Sequence, residues 1–416
     1  MKHHILIVGG GMITHDQLLP TVYHMQRCGK VGEISICGRT AQRLQDLRAA
    51  PDLVEAFPGQ SFRSFPDSNS APPQPRLFRK IIRDIPPRSI VMVAVPDDLH
   101  FEVVMAALHS NHHVCVVKPL VLKYMQTLEI ADEAYRRGLV VGIDYHKRFD
   151  HRSLTARLDY RAGRLGEFRM GSAFLLEKWF YRHSNFQTWL TTERSDAFTY
   201  IGCHYVDLVH FITGLLPRSV SVYGIPDAFP NRRRGFLWAD ARVTWENGAC
   251  LNVQCALGLS DSAPGTNAQG LTMFCSGKDD GALIFHSDQF RGIKRVYLNR
   301  DDRPGRARYT EPSGDYFEYV NIGGQGLTPV GYGYRSLEYI LEQCISIDMT
   351  RSGRSQRQKI LREIDAGIMA TPRNSSYNEL VIEAARESIA KNGKTIVLPR
   401  LRSRGTPNKP RDVSAN

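Results

Sequence analysis

The stretch Val114-Cys115-Val116-Val117-Lys118-Pro119 decides the fold. Four apolar or β-favouring residues run without interruption into a lysine, the pattern of a strand covered on both sheet faces. Proline has no N–H for a central ladder, so the strand ends at Pro119. Lys118 is thereby delivered to the carboxyl end of a buried parallel strand, where open α/β sheets bind ligands. A lysine there either serves a site or runs its stem out to solvent.

The segments around it repeat strand and helix. Ile5-Leu6-Ile7-Val8 reads as a first buried strand, followed by Gly9-Gly10-Gly11-Met12-Ile13-Thr14 and a helical pattern through Leu18, Leu19, Val22 and Met25. Gly9 and Gly11 let the backbone turn tightly against a pyrophosphate, and Met12 and Ile13 open the helix whose amino end meets its charge. Thr14 stands at the third glycine of G-x-G-x-x-G, so the motif is incomplete and rests on its strand–turn–helix context. The second strand, Glu33 to Cys37, ends at Gly38-Arg39-Thr40 without an acid for the ribose hydroxyls. Arg39 either pairs with a 2′-phosphate or only starts a helix at the surface. The expected cofactor is therefore NAD(P), leaning to NADP.

Ile90 to Val95 is another apolar strand, and Pro96-Asp97-Asp98-Leu99-His100 enters the next helix. Pro96 and His100 lie at the same sheet edge as Lys118; His100 either approaches the cofactor or is a surface histidine. A helix through Met125, Leu128, Ile130 and Ala134 and a strand from Leu139 to Ile143 follow. This alternation predicts a parallel sheet with helices on both faces, a Rossmann dinucleotide-binding domain over residues 1–145.

Beyond Asp150 the pattern changes. Strands of alternating type dominate, with Asn247-Gly248 as a hairpin turn, so residues 146–400 are expected to form an α+β domain on a large, mostly antiparallel sheet. Within it, Thr199 to Gly214 reads as a helix with an apolar stripe of Ile201, Tyr205, Leu208 and Ile212. Tyr200, His204 and Asp207 share its neighbouring face: either a reactive group, or a buried histidine satisfied by an aspartate one turn away.

The 416 residues are 42% hydrophobic and 23% charged, an ordinary globular composition. No apolar run approaches the ~20 residues that span a membrane, and the first run is too short for a secretory leader, so a cytoplasmic protein is expected. None of the eight cysteines forms a Cys-x-x-Cys pair, which indicates neither zinc nor a redox motif. The charge of +12 sits largely late in the chain, and residues 401–416 read as a basic, disordered tail. No nucleic-acid motif accompanies that charge.

Together these residues resemble the glucose–fructose oxidoreductase / inositol dehydrogenase / rhizopine catabolism family (Gfo/Idh/MocA). The family's Glu-Lys-Pro matches Val117-Lys118-Pro119, with the glutamate lost. Its acid-x-Gly-x-His pattern matches Tyr200-x-Gly202-x-His204, with tyrosine for the acid. The resemblance implies hydride transfer at a hydroxyl of a sugar, glycoside or cyclic polyol, and assembly as a homodimer or homotetramer. On it, Lys118 bonds the substrate oxygen and His204 is the general base or acid. Tyr200 orients substrate, relays the proton or packs in the wall; Asp207 holds the imidazole tautomer or pairs structurally. His146, Arg148, Trp179 and Tyr334 are further candidate substrate contacts. Two other readings remain: an enzyme that retains NAD and cleaves glycosides by transient oxidation and elimination, and a non-catalytic dinucleotide-sensing regulator.

Overall fold

The computed structural model describes residues 2–67, 74, 76–263, 267–278, 280–286, 296–298, 308–310, 316–350 and 353–401. The stretch 402–416, most of the expected basic tail, lies outside the described residues.

The amino-terminal half is an all-parallel sheet of β1 (Ile5–Val8), β2 (Ile34–Cys37), β3 (Arg63–Phe65), β4 (Ile90–Val93), β5 (His113–Val117) and β6 (Val141–Asp144). Its strand order is β3-β2-β1-β4-β5-β6. The order reverses between β1 and β4, which leaves a crevice at their carboxyl ends. The connections carry α1 (Leu19–Arg27), α2 (Ala41–Arg48), α3 (Pro51–Ala56), α4 (Leu77–Asp84), α5 (His100–His109) and α6 (Tyr124–Arg137). β1, β2, β4 and β6 are buried at every position, as strands covered by helices on both faces must be. A left-handed Gly138 ends α6.

The second half begins with α7 (His151–Arg161), capped by the Asp150 carboxylate on the Arg152 N–H. Its sheet contains β7 (Phe168–Lys178), β8 (Pro217–Ala228), β9 (Arg234–Trp245), β10 (Cys250–Leu259), β11 (Asn267–Cys275) and β12 (Ala282–His286). Two short ribbons, β13 (Val296–Leu298) with β14 (Arg308–Thr310) and β15 (Glu318–Val320) with β16 (Thr328–Val330), precede the edge strand β17 (Ile396–Val397). The order is β12-β11-β7-β10-β9-β8-β17, antiparallel except where β7 meets β10. The helices are α8 (Phe186–Trp189), α9 (Cys203–Thr213), α10 (Tyr332–Met349), α11 (Arg354–Ala366) and α12 (Ser376–Ala390).

One face of this sheet, through Leu237, Ala241, Val243, Val253 and Leu271, packs on α9 and α12. Its other face leaves Met170, Phe174, Phe274, Leu283 and Phe285 exposed. α10 returns to the first sheet: Leu337, Ile340, Leu341, Cys344 and Ile347 share a core with Ile5, Ile7, Ile90 and Met92. Gly142 makes this possible, because a Cβ there would stand 2.5 Å from the Ile340 side chain.

Candidate active site

The crevice between β1 and β4 is the floor of a cavity of about 130 Å³. Gly11, Met12 and Ile13 form one side, and Ala94, Val95, Pro96 and Asp97 the other. Gly9 has φ +116°, and a Cβ there would meet the Ala94 carbonyl at 2.1 Å, so only glycine lets the two strand ends close. At Gly11 a Cβ would project toward the cavity, with Asn185 Nδ2 its nearest neighbour at 3.8 Å. Thr14, at the third glycine position, donates its hydroxyl to the Gly9 carbonyl at 2.7 Å and so ties the turn from behind. A π-helical turn, Thr14–Leu18, leads into α1. These residues fit a pyrophosphate laid over Gly9–Gly11 at the amino end of the helix.

The roof comes from the second half. Phe186, Trp189 and Tyr200 line the cavity and stack on one another, with ring centroids 5.0 to 5.8 Å apart. The segment is fastened to the first domain at two points. Arg194 makes a two-pronged pair with Asp98 at 2.9 and 2.8 Å, and the Ser195 hydroxyl donates to buried Asp97 at 2.8 Å. Burial raises the Asp97 carboxyl above its ordinary range.

Lys118, at the end of β5, lines the cavity; its ammonium donates to the Tyr200 carbonyl and lies 3.7 Å from the centre of the Tyr200 ring. Tyr200 belongs to a second π-helical turn, Phe198–Gly202, where a Cβ on Gly202 would strike the Phe198 ring at 2.5 Å. Burial holds the Tyr200 hydroxyl protonated, well above its usual titration. His204, in the first turn of α9, is 6% exposed and stands behind His146, with ring centroids 4.8 Å apart. Burial holds its imidazole far below the usual range, and the Lys118 charge is the next cause. His146 itself lines the cavity, beside Asp144. Lys118, Tyr200 and His146 thus line one cleft, with His204 packed against His146 and with Met12, Ile13 and Pro96 on the side of the glycine turn.

Other expected site residues lie elsewhere. Asp207 does not meet His204. It accepts two bonds from Arg148, at 2.7 and 2.6 Å, and one from Tyr377 at 2.9 Å, all in the core. Arg148 correspondingly faces Asp207 and not a substrate: a buried guanidinium needs a planar acceptor, and Asp207 is the carboxylate within reach. His100 is fully buried and bridges the Val95 and Pro119 carbonyls, each at 2.8 Å, so it joins the ends of β4 and β5 from beneath the cleft. Trp179 is 42% exposed and stacks on the Arg182 guanidinium at 3.7 Å. Tyr334 points its hydroxyl to Glu338 on α10, at 2.9 Å, over the first sheet. Arg39 is exposed just past β2, outside the cavity lining, with no ion-pair partner among the described residues.

Sequence reading missed Asp97, Asp144, Lys147 and Glu177. Lys147 is buried and donates to Gln269 of β11. Glu177, near the end of β7, is half-buried; burial pushes its carboxyl up to about 7, against the opposing pull of Lys118. No local pattern marks either residue, since Lys147 meets Gln269 and Glu177 meets Lys118 only in the folded chain. Among the described residues no group of three or more His, Cys, Asp or Glu is arranged to hold a metal.

Residues 3–145 match the sequence model of the oxidoreductase family GFO_IDH_MocA, NAD-binding Rossmann fold. Over 126 residues the chain is 29% identical to an uncharacterized oxidoreductase of Schizosaccharomyces pombe, covering 29% of this chain and 34% of that one, so it spans about a third of that relative. It is 23% identical over 287 residues to levoglucosan dehydrogenase of Pseudarthrobacter phenanthrenivorans, covering 63% of this chain and 71% of the relative. The fold resembles the crystal structure of scyllo-inositol dehydrogenase from Lactobacillus casei with bound NAD(H) and scyllo-inositol, at TM-score 0.61 and 13% identity over 95% of this chain and 99% of that one. Over residues 3–145 the chain is therefore similar to the oxidoreductase family GFO_IDH_MocA, with its NAD-binding Rossmann fold.

Proposed function

We propose that the protein is an NAD(P)-dependent dehydrogenase that oxidises a hydroxyl, or reduces the matching ketone, of a sugar, glycoside or cyclic polyol. The observation that carries this reading is Lys118, which opens into the same cleft as the glycine turn and the His146–His204 pair. A bound oxidised nicotinamide supplies the acceptor for the carbinol hydride. Gly9, Gly11, Met12, Ile13 and Pro96 hold the dinucleotide. Lys118 stabilises negative charge on the substrate oxygen, and the imidazole pair accepts its proton. The aromatic roof excludes water. The printed activities of the levoglucosan and scyllo-inositol dehydrogenases favour a carbohydrate or polyol substrate.

Arg39 favours NADP, because the turn past β2 carries this guanidinium and no acid, and a guanidinium suits a ribose 2′-phosphate. The residues 1–145 serve the cofactor and 146–400 the substrate. The eight free cysteines, six of them buried, favour the reducing cytoplasm. The exposed apolar sheet face favours a homodimer or homotetramer.

The test is to assay the purified protein with NAD⁺ and NADP⁺ against a panel of sugars, glycosides and inositols. Turnover is expected with at least one, and Lys118→Ala lowers kcat/KM by ~10²-fold or more. Arg39→Ala weakens NADP⁺ more than NAD⁺. Dinucleotide binding without turnover favours a sensing regulator instead. The two fastenings at Asp97 and Asp98 favour one variant of the activity, in which the dinucleotide stays bound and a glycoside is cleaved after transient oxidation. Product release without net reduction of free cofactor distinguishes it.

A further inference from the structure

We propose that His146, oriented by Asp144, is the side chain that takes the substrate hydroxyl proton, and that His204 acts through it. This rests on the dehydrogenase reading and assigns the proton within it.

Three observations carry the assignment. His146 and Asp144 both line the cavity beside Lys118, whereas His204 is not among the lining residues and packs against the His146 ring. Secondly, His146 has an acid and His204 has none: Asp144 Oδ2 lies 3.8 Å from His146 Nδ1, and no ion-pair or hydrogen-bonded carboxylate is found for His204 among the described residues. Asp144 is itself held from behind by the Ser336 hydroxyl at 2.6 Å and the Gln17 amide at 3.3 Å. Gln17 in turn accepts from the Tyr316 hydroxyl at 2.9 Å, and the Tyr316 ring packs 5.0 Å from His146. The carboxylate on the Nδ1 side favours the tautomer protonated at Nδ1, which leaves the Nε2 lone pair as the base. Thirdly, the charges around the two rings differ. A proton on His204 meets Lys118 and Lys147 with no anion to offset them. A proton on His146 meets the same lysines, but Asp144 opposes them. Among the described residues, the rings packed on His146 are those of Tyr316, Tyr332 and His204.

In the oxidation direction the hydroxyl O–H bond breaks and its proton passes to Nε2 of His146. The electron pair left on oxygen forms the C=O bond, while the carbinol hydrogen departs as hydride to the oxidised nicotinamide dinucleotide. Reduction runs the same exchanges in reverse. Lys118 holds the oxygen throughout, and His204 is a positioning residue that keeps the His146 ring facing the cleft.

The experiment combines a histidine NMR titration of the NADP⁺-loaded protein with steady-state kinetics. His146 is expected to titrate above His204, and Asp144→Asn to lower the His146 midpoint by about 1–3 pH units, the range for loss of a neighbouring opposite charge. In kinetics, His146→Gln loses ~10²-fold or more in kcat/KM with NADP⁺ affinity unchanged, and the acid limb of its pH profile disappears. His204→Gln slows the reaction but keeps that limb. Asp144→Asn moves the limb to lower pH and covers the case in which His146→Gln does not fold. Turnover with His146 titrating below His204, or with a midpoint that ignores Asp144→Asn, overturns this proposal alone. A wild-type protein that turns over no sugar or polyol overturns the dehydrogenase reading and this proposal with it.

Discussion

Asp207 and Glu379 carry buried carboxyls with opposite roles. Asp207 answers a guanidinium: losing its charge leaves Arg148 uncompensated in the core, a change that costs about 3–5 kcal/mol in comparable buried pairs. Asp207→Asn is therefore expected to lower denaturant stability by that order, while the acid limb of kcat/KM stays in place. A displaced limb with unchanged stability contradicts the structural assignment. Among the described residues Glu379 has no ion-pair partner; one oxygen accepts from the Leu120 N–H at 3.2 Å and the other has no hydrogen bond. Burial pushes its carboxyl from 4.5 up to about 8. The native state thus keeps a proton that the unfolded chain releases. This contribution to stability is fully present below pH 4.5 and is lost as pH rises through about 8. Glu379→Gln is expected to flatten the decline across that window in urea titrations; an unaltered slope refutes it. Neither role is legible from the chain alone. The helical register of Tyr200, His204 and Asp207 is visible in the sequence, but the Arg148 that claims Asp207 arrives from a turn 59 residues away.

Among the elements, the segment from Phe186 to Ser195 couples the two halves through Arg194–Asp98 and Ser195–Asp97. It crosses the mouth of the cofactor cleft, so its fastenings oppose release of a bound dinucleotide. The Arg194–Asp98 pair is partly exposed, and such pairs contribute about 0.2–1 kcal/mol. Arg194→Ala is therefore expected to speed dinucleotide release by up to about five-fold in stopped-flow fluorescence, with Asp98→Ala matching it and the double variant adding little. Equal release rates in all four proteins remove the segment from the exit path. The strands β1, β4 and β5 and the helix α9 were readable in advance, since unbroken apolar runs and a 3.6-residue stripe report burial directly. The segment over the cleft was not, because α8 has only four residues and shows no usable period. The π-helical turns were equally invisible: Gly202 is needed there only because the Phe198 ring packs against it.

At the scale of the whole molecule, the second sheet presents an apolar surface with no cover among the described residues. Met170 faces Phe274 and Phe274 faces Leu283 across adjacent strands, and Phe285 neighbours them at 72% exposure. A contiguous patch of this kind is a candidate protein–protein interface. The wild type is expected to sediment as a dimer or larger, and Phe274→Glu to shift it toward monomer without loss of secondary structure. A monomeric wild type removes that reading. The sequence by itself determined the doubly wound first domain, the glycine turn, the placement of Lys118 at a strand end and the antiparallel character of the second sheet. Each of these is encoded in local periodicity and in the backbone demands of Gly and Pro. Only the tertiary structure decided which charges meet. It paired Asp207 with Arg148, set Asp144 beside His146, and withdrew His100, Trp179 and Tyr334 from the cleft. The reason is that burial period records whether a side chain is covered, whereas a polar partner is chosen by three-dimensional proximity among residues far apart along the chain.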